Sequence, residues 1–100
     1  MLVEISVYFL GTGSTSFSEE VAEVVRALEE RGFDPQVGPM GTVVEVEDIE
    51  EALEAIRTAH DEAVKHADRI ILTVRIDERL DREVTAEGKV ESVRRRLQEE

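Results

Sequence analysis

Cysteine is absent from the sequence, which excludes a disulfide framework and thiolate chemistry. Long apolar runs are absent too: the segment Ile70-Ile71-Leu72 is typical of their length, whereas a membrane-spanning helix needs about 20 apolar residues. The first residues carry no basic segment, and Glu4 interrupts their apolar character, so we expect no secretory signal. The cytoplasm is therefore the expected location.

Basic residues are scarce, because 12 Lys and Arg stand against 24 Asp and Glu, giving a net charge of −12. Binding to nucleic acid requires a basic surface that neutralises phosphates, and binding to an anionic membrane requires basic segments. We therefore expect neither partner. The acidic balance suits a cationic small molecule, or serves solubility alone. A chain of 100 residues predicts a single domain over residues 1–100 with one core.

Catalytic and metal-binding patterns are also missing. No serine lies in a strand–turn–helix elbow with the required glycines. The two histidines, His60 and His66, are six residues apart and do not share a helical face, and no spaced set of His and Asp indicates a metal site. No acid–base pair has a persuasive spacing. We expect a protein that is not an enzyme and that uses neither a cofactor nor a metal.

Alternation of apolar and polar side chains predicts four strands. They span residues 2–10, 33–37, 42–47 and 69–76. The second is weakened by Pro35, which favours an edge position. The third follows Pro39-Met40-Gly41, a segment typical of a tight turn, in which Gly41 permits a backbone conformation that other residues resist.

Helical spacing of apolar residues predicts three helices. The first carries Val21, Val24, Val25 and Leu28 on one face, is capped by Ser16 or Ser18 with Glu19 completing a capping box, and ends at Gly32. The second begins with a capping box of Asp48 and Glu51, ends near His66, and has a buried stripe predicted as Ile49, Ala52, Leu53, Ile56, Ala59, His60 and Ala63.

Thr85 caps the third predicted helix, whose apolar seam of Val90, Val93 and Leu97 is narrow. Such a seam packs either on its own domain or on a partner subunit. The order β-α-β-β-α-β-α predicts an α+β fold, the ferredoxin-like βαββαβ sandwich, with an antiparallel sheet in the order 4-1-3-2 and an added C-terminal helix. Right-handed crossovers place the first two helices on one face of this sheet.

The opposite face of the predicted sheet is left uncovered and carries a mixture of apolar and polar side chains. Its residues are Glu4, Ser6, Tyr8, Val43, Glu45, Ile71, Thr73 and Arg75. Such a mixture is typical of a subunit interface or of a small-ligand site. Because strands 1 and 3 are neighbours, we expect Glu45 to lie close to Ser6 or Tyr8. A carboxylate in the middle of a strand needs water, a charge partner or a ligand.

A glycine-rich loop spans residues 10–16, before the first helix. Its segment Gly11-Thr12-Gly13-Ser14-Thr15 could cradle a phosphate at the helix N-terminus. The loop lacks both the Gly-Lys-Ser/Thr ending of a P-loop and the spacing of a dinucleotide fingerprint. A plain connecting loop and an anion-binding loop both remain open.

Five segments together resemble the small thiamine-binding protein family, once catalogued as uncharacterised. They are Leu10-Gly-Thr-Gly-Ser-Thr-Ser16, Val21-Ala-Glu-Val24, Pro39-Met-Gly-Thr42 with Glu45, Arg75-Ile-Asp-Glu-Arg79 and Lys89-Val-Glu-Ser-Val93. The chain departs from the family at Phe9, where Pro is common, and at Val46, where Gly commonly follows the Glu. The resemblance implies a ferredoxin-like fold, a homotetramer of two dimers that join their sheets, and binding of thiamine or its hydroxymethylpyrimidine part without catalysis.

The uncovered face and the resemblance together give the candidate ligand-binding residues. They are Ser6, Tyr8, Thr12, Gly13, Ser14, Met40, Gly41, Thr42, Glu45 and Thr73. Glu45 would accept from the exocyclic amine, while the hydroxyls of Ser6, Thr42 and Thr73 complete the hydrogen bonds. Tyr8 offers a ring for stacking or for a cation. The glycine-rich loop would hold the hydroxyl or phosphate end, and Pro39 to Thr42 would form the rim.

The pocket is expected on or beside the open sheet face, near a subunit boundary. The alternative is a structural or regulatory homo-oligomeric module that binds another metabolite or none. In that case subunit packing would consume the same mixed face.

Overall fold

A computed structural model describes residues 1–99 of the chain. Its elements are β1 (Leu2–Leu10), α1 (Ser18–Glu30), β2 (Gln36–Val37), β3 (Thr42–Glu45), α2 (Ile49–Ala63), β4 (Arg69–Asp77) and α3 (Ala86–Gln98). The four strands form one antiparallel sheet in the order β2-β3-β1-β4. This is the predicted order 4-1-3-2 read from the other edge, and the α+β, ferredoxin-like fold with a C-terminal helix is confirmed. Among residues 1–99, no helix is both long enough and apolar enough to span a bilayer.

Two strands are shorter than predicted. β2 contains only Gln36 and Val37, and β3 ends at Glu45 rather than at residue 47. Val46 stays buried, but its N–H donates to the carbonyl oxygen of Met1 at 2.9 Å, and Asp48 already caps α2. The short β3 matters for the site, because β1 is nine residues long and β3 only four.

The hydrophobic core lies between the sheet and the helices α1 and α2. Its largest fully buried side chains are Val3, Phe9, Leu28 and Val44. They come from the faces that the alternation in the strands and the spacing in the first helix predict. Both helices pack on this side of the sheet and contact each other.

The predicted stripe of α2 is wrong at Ile49, Leu53 and His60, which are exposed, whereas Ile56 is half-buried and packs against the core as predicted. Ile49 and Leu53 are 47% and 53% exposed. The buried face of the helix consists instead of small side chains: Ala52, Ala55, Thr58, Ala59 and Ala63. Small side chains at a helix contact allow a close approach of the partner elements, and α2 packs against α1, β1 and β4.

The caps of α2 and α3 and the glycine after α1 follow the sequence prediction, whereas α2 ends at Ala63, three residues before His66. The side chain of Asp48 accepts from the N–H of Glu51 at 2.9 Å, and that of Thr85 accepts from Gly88 at 2.9 Å. Gly32 follows α1 with a φ of +91°, as a C-terminal glycine should. The predicted cap of α1 is wrong: Phe17 occupies the N-cap without a side-chain bond, because the Ser16 and Ser18 hydroxyls bond to each other.

The helix α3 lies apart from the core, and none of its residues is buried. Two polar contacts hold its first turns: the Glu45 carboxylate accepts from the N–H of Ala86 at 2.8 Å, and Lys89 pairs with Asp77. The radius of gyration is 15.1 Å, whereas a compact chain of this length has a value of about 13 Å. The molecule is therefore elongated.

Candidate ligand-binding cleft

A cleft lies along the free half of β1. The strand β3 pairs with β1 only from Leu2, opposite Glu45, to Ile5, opposite Thr42. Beyond Ile5 this edge of β1 has no strand partner, and the β2–β3 turn and α1 stand beside it instead. Together they enclose a volume of about 240 Å³.

The lining of the cleft is mainly apolar, with a few hydroxyl groups. Its apolar lining consists of Ile5, Val7, Phe17, Val21, Val24, Leu28, Pro39 and Met40. The side chains of Ser6, Tyr8 and Thr42 add hydroxyl groups. A concave, mainly apolar surface with a few polar groups is the usual form of a small-molecule site.

The β2–β3 turn is fastened to β1 by close contacts. The Ser6 hydroxyl donates to the Met40 carbonyl oxygen at 2.8 Å, and the Gly38 N–H donates to the Gly41 carbonyl oxygen at 2.8 Å. A Cβ on Gly41 would lie 2.9 Å from Ser6 Oγ and 3.1 Å from Glu4 Cγ. Glycine is thus needed here because the strand is so near. The sequence predicted glycine here for a backbone conformation that other residues resist. That reason was wrong, since the backbone of Gly41 does not have a positive φ.

Aromatic rings form one wall of the cleft. The ring centroids of Tyr8 and Phe17 are 6.3 Å apart, and Phe17 meets the buried Phe9 edge to face at 5.7 Å. Tyr8 is 49% exposed, so one side of its ring remains open to a ligand. Within residues 1–99, the hydroxyls of Tyr8 and Thr42 make no hydrogen bond to the protein; that of Tyr8 lies on an exposed side chain, whereas Thr42 is only 6% exposed and lies in the buried part of the lining.

Five of the ten candidate residues line this cleft: Ser6, Tyr8, Met40, Gly41 and Thr42. The glycine-rich loop lies outside it. The N–H of Ser14 donates to the Thr12 hydroxyl at 3.3 Å, and the Ser14 hydroxyl donates to the Ser16 carbonyl oxygen at 3.2 Å. Gly13 has a φ of +79°. These hydroxyls stabilise the loop itself.

Glu45 lies at the other end of β3 from the cleft. It is opposite Leu2, and the three residue steps from Thr42 to Glu45 correspond to about 10 Å. Its expected proximity to Ser6 or Tyr8 is therefore wrong, because the strand register separates them. Glu45 contacts the start of α3, and Arg75 pairs with Glu4 at 3.3 Å instead.

Thr73 lies next to Ser6 in the sheet but on the side away from the cleft. The two residues are opposite each other on β4 and β1, and Thr73 is exposed. It belongs to the open sheet face, which also carries Ile71, paired with Tyr8. Only a ligand or partner lying on that face would reach Thr73.

The apolar walls of the cleft were missed by the sequence analysis. Phe17 has no role in the prediction. Helical spacing assigns Val21, Val24 and Leu28 to the core; Val24 and Leu28 do lie in it, and all three side chains also border the cleft. Spacing cannot distinguish a residue that packs on the sheet from one beside a missing strand. The available signal was Phe17, an aromatic residue immediately before a helix and next to the glycine-rich loop.

The polar groups of the cleft are hydroxyls rather than charged side chains. Its lining includes no carboxylate, imidazole or basic side chain. The carboxyl groups with lowered pKa values lie elsewhere: hydrogen bonds from His60, His66, Lys89 and Arg79 lower the pKa values of Asp61, Glu62, Asp77 and Asp81, respectively. Within the described chain, no cluster of three or more His, Asp or Glu is arranged to hold a metal ion.

Comparison with known proteins places the chain among one group of sequences. A family model described as "Thiamine-binding protein" matches residues 3–94. A UPF0045 protein of Methanothermobacter thermautotrophicus is 43% identical over 96 residues, which cover 94% of this chain and 96% of the relative. A UPF0045 protein of Methanocaldococcus jannaschii is 32% identical over 93 residues, covering 93% and 91%.

Solved structures have the same fold. The crystal structure of a hypothetical protein of Methanocaldococcus jannaschii matches with a TM-score of 0.80 at 32% identity, covering 92% of this chain and 93% of that one. A Thermotoga maritima protein, named for a proposed role in thiamine biosynthesis or salvage, matches with a TM-score of 0.77 at 25% identity, covering 92% and 96%.

Proposed function

The chain belongs to the thiamine-binding protein family, and from that premise we propose that it binds thiamine or its hydroxymethylpyrimidine part without catalysing a reaction. One observation supports this most directly: the cleft on the free half of β1 is apolar, ring-walled and bordered by hydroxyl groups. Thiamine and hydroxymethylpyrimidine share a flat aminopyrimidine ring with hydrogen-bond donors and acceptors on its edge.

The pyrimidine ring would enter between the aromatic wall and the β2–β3 turn. The volume of about 240 Å³ suits a single ring with its substituents. The hydroxyls of Tyr8 and Thr42 would donate to ring nitrogens or accept from the amine, and Ser6 Oγ can accept while it donates to Met40. The cationic thiazolium would remain at the mouth, where the net charge of −12 favours it.

The other five candidate residues have a place in the proposal only outside the inner cleft. Thr12, Gly13 and Ser14 lie in the loop that leads to Phe17 and to the helix that carries Val21, so this loop would meet a hydroxyl or phosphate arm that leaves the mouth. Glu45 and Thr73 would reach a ligand only if a second subunit brought it to the sheet. The homotetramer of two dimers, and the cytoplasmic location, are part of this proposal through the family resemblance.

Isothermal titration calorimetry tests the binding proposal. The ligands are thiamine, its phosphates and hydroxymethylpyrimidine, with circular dichroism as the check on folding. Thr42→Val should weaken binding of the best ligand, whereas Thr73→Val, a matched change on the open face, should not. Absence of heat for every ligand with folded protein would overturn the proposal.

A second candidate function is a structural or regulatory homo-oligomer. It is favoured by the open sheet face, where Tyr8 and Ile71 are 49% and 45% exposed beside the Glu4–Arg75 pair. A native mass spectrum of freshly purified protein separates the two candidates, because it reports the subunit number and any retained ligand together. An oligomer without a ligand, together with silent calorimetry, would support this second function.

A further inference from the structure

A groove lies between α3 and the loop that joins β4 to this helix, and it encloses about 590 Å³. Four of the residues that line it are basic: Arg79, Arg82, Lys89 and Arg95. Against them stand two acidic residues, Asp77 and Glu83. In the whole chain, 24 Asp and Glu stand against 12 Lys and Arg, so the groove gathers the scarcer charge in one place.

One face of α3 forms a wall of the groove. Gly88, Ser92 and Arg95 follow one another at intervals of four and three residues, so they lie on the same side of the helix. Gly88 carries no side chain, and a Cβ there would lie 2.7 Å from Oγ1 of Thr85, which caps the helix. The glycine therefore leaves open space between the cap and the Ser92 hydroxyl.

Two of the basic side chains are already paired with carboxylates. Arg79 Nε donates to Asp81 Oδ1 at 2.9 Å, and Lys89 pairs with Asp77. The hydrogen bonds from Lys89 and Arg79 hold the pKa values of Asp77 and Asp81 below their usual range. Both carboxyl groups are thus ionised at neutral pH, and each pair largely cancels its own charge.

The other two basic side chains of the groove have no carboxylate partner. Within residues 1–99, Arg82 and Arg95 form no ion pair, and the Ser92 hydroxyl makes no hydrogen bond. A guanidinium group can give two parallel hydrogen bonds to the oxygens of a phosphate, which makes arginine well suited to this anion. Glu83 opposes such binding with a single negative charge, so the unpaired groups leave the groove positive.

We propose that this groove binds the phosphate group of a small molecule, with Arg82 and Arg95 as its anchors and Ser92 as a further donor. A single positive groove on a chain of net charge −12 suits a small ligand, because nucleic acids and anionic membranes require an extended basic surface. The site is separate from the thiamine cleft. Asp77 at the groove pairs with Leu2, whereas the cleft lies along the free half of β1, so the proposal holds whether or not the cleft binds thiamine.

Nuclear magnetic resonance locates the anion on the chain. Pyrophosphate and inorganic phosphate are the probes, and they are added in a sodium chloride background that screens general attraction between charges. The backbone amide signals of Gly88 and Ser92 should shift and reach saturation with at least pyrophosphate. Saturable shifts confined to the glycine-rich loop, at Gly11 and Gly13, would place the anion there instead. That result, or the absence of saturable shifts with both probes, would contradict the proposal.

Calorimetry with pyrophosphate tests the anchors one by one, with circular dichroism as the check on folding. Arg82→Gln and Arg95→Gln should each weaken binding about fivefold to tenfold, because each removes charge-assisted hydrogen bonds. Glu83→Gln should strengthen binding, since it removes the opposing charge. Arg94→Gln is the matched control: it removes the same charge from the adjacent position of α3, which does not line the groove. Equal losses in Arg94→Gln and Arg95→Gln would mean that only the overall charge attracts the anion, and the proposal would then be wrong.

Discussion

Ser6 on β1 holds the β2–β3 turn in place, because its hydroxyl donates to the carbonyl oxygen of Met40 at 2.8 Å. The two residues are 34 positions apart in the chain. Their hydrogen bond fixes the distance between the free half of β1 and the turn, and this distance is the width of the cleft.

Ser6→Ala should therefore weaken ligand binding more than it weakens the fold. The lost hydrogen bond is worth about 1 kcal/mol of stability, and a cleft with one loosened wall should lose about threefold to tenfold in affinity. Calorimetry and urea unfolding measure the two effects. Thr73→Ala removes the hydroxyl opposite Ser6 on β4 and should leave affinity unchanged; an equal loss in both variants would place the ligand on the open face.

Gly41→Ala should displace the turn. The added methyl group would meet Ser6 Oγ at 2.9 Å and Glu4 Cγ at 3.1 Å, and such crowding costs about 1–3 kcal/mol in the free energy of unfolding. Urea unfolding measures the loss. Gln36→Ala, at an exposed position of β2, serves as the control, and a stable Gly41→Ala variant with wild-type affinity would show that the turn is not tightly fitted.

Because the buried face of α2 consists of small side chains, two substitutions in this helix should have opposite consequences from those that residue size alone suggests. Ala59→Leu forces a large side chain into a fully buried position and should cost about 1–3 kcal/mol. Leu53→Ala, at a position that is 53% exposed, should cost about 0.5 kcal/mol or less. Thermal unfolding of the two variants compares them. The reverse order would mean that the face predicted from large apolar residues is the buried one after all.

The variant Glu45→Gln tests whether Glu45 stabilises the start of α3 or binds the ligand. The carboxylate accepts from the N–H of Ala86 at 2.8 Å, and a negative charge at a helix N-terminus stabilises it by about 0.3–1 kcal/mol. The variant should show faster hydrogen exchange in the first turn of α3 and unchanged thiamine affinity. Lost affinity with intact oligomers would place the ligand beside Glu45 instead of in the cleft.

The contact between Glu62 and His66 should make stability depend on pH. His66 Nε2 lies 2.8 Å from Glu62 Oε2, and this hydrogen bond, with help from Lys65, holds the pKa of Glu62 below its usual value. A lowered pKa in the folded state gives a stabilisation that is complete above the pKa of the unfolded chain and is lost as the pH falls through the folded value.

Glu62→Gln should accordingly destabilise the protein at pH 7, and the difference from wild type should shrink below about pH 4.5, the ordinary pKa of this side chain. Urea unfolding between neutral and acidic pH gives the measurement. Glu83→Gln, at an exposed loop position, provides the comparison. A difference that grows on acidification would contradict the assigned sign.

The fold was predictable because the sequence signals for its strands and helix caps lie in residues that are close together in the chain. The alternation in residues 2–10 and the capping residues Asp48 and Thr85 depend on neighbours in the sequence, and the structure has them as expected. The face of α2 was not predictable in this way. Apolar periodicity predicts that the large residues Ile49 and Leu53 are buried. In the structure the helix instead packs closely against α1 and the sheet through its alanines.

The site was predictable in part for a similar reason. Ser6 and Tyr8 follow from alternation, and the turn containing Met40 and Gly41 follows from its glycine and proline. The position of Glu45 depends on which residues of β1 and β3 face each other, and alternation does not determine that register. A strand pattern assigns a side chain to a face of the sheet, but it leaves the place along the strand open.

The four-residue length of β3 beside the nine residues of β1 bears on how such a cleft can evolve. The cavity exists because backbone is missing there, so no single side chain creates it. Insertions or deletions in the β2–β3 turn would resize it in steps of one residue while leaving the core sequence untouched. Related chains that differ in turn length should therefore differ in the size of ligand they accept, even when their buried residues are the same.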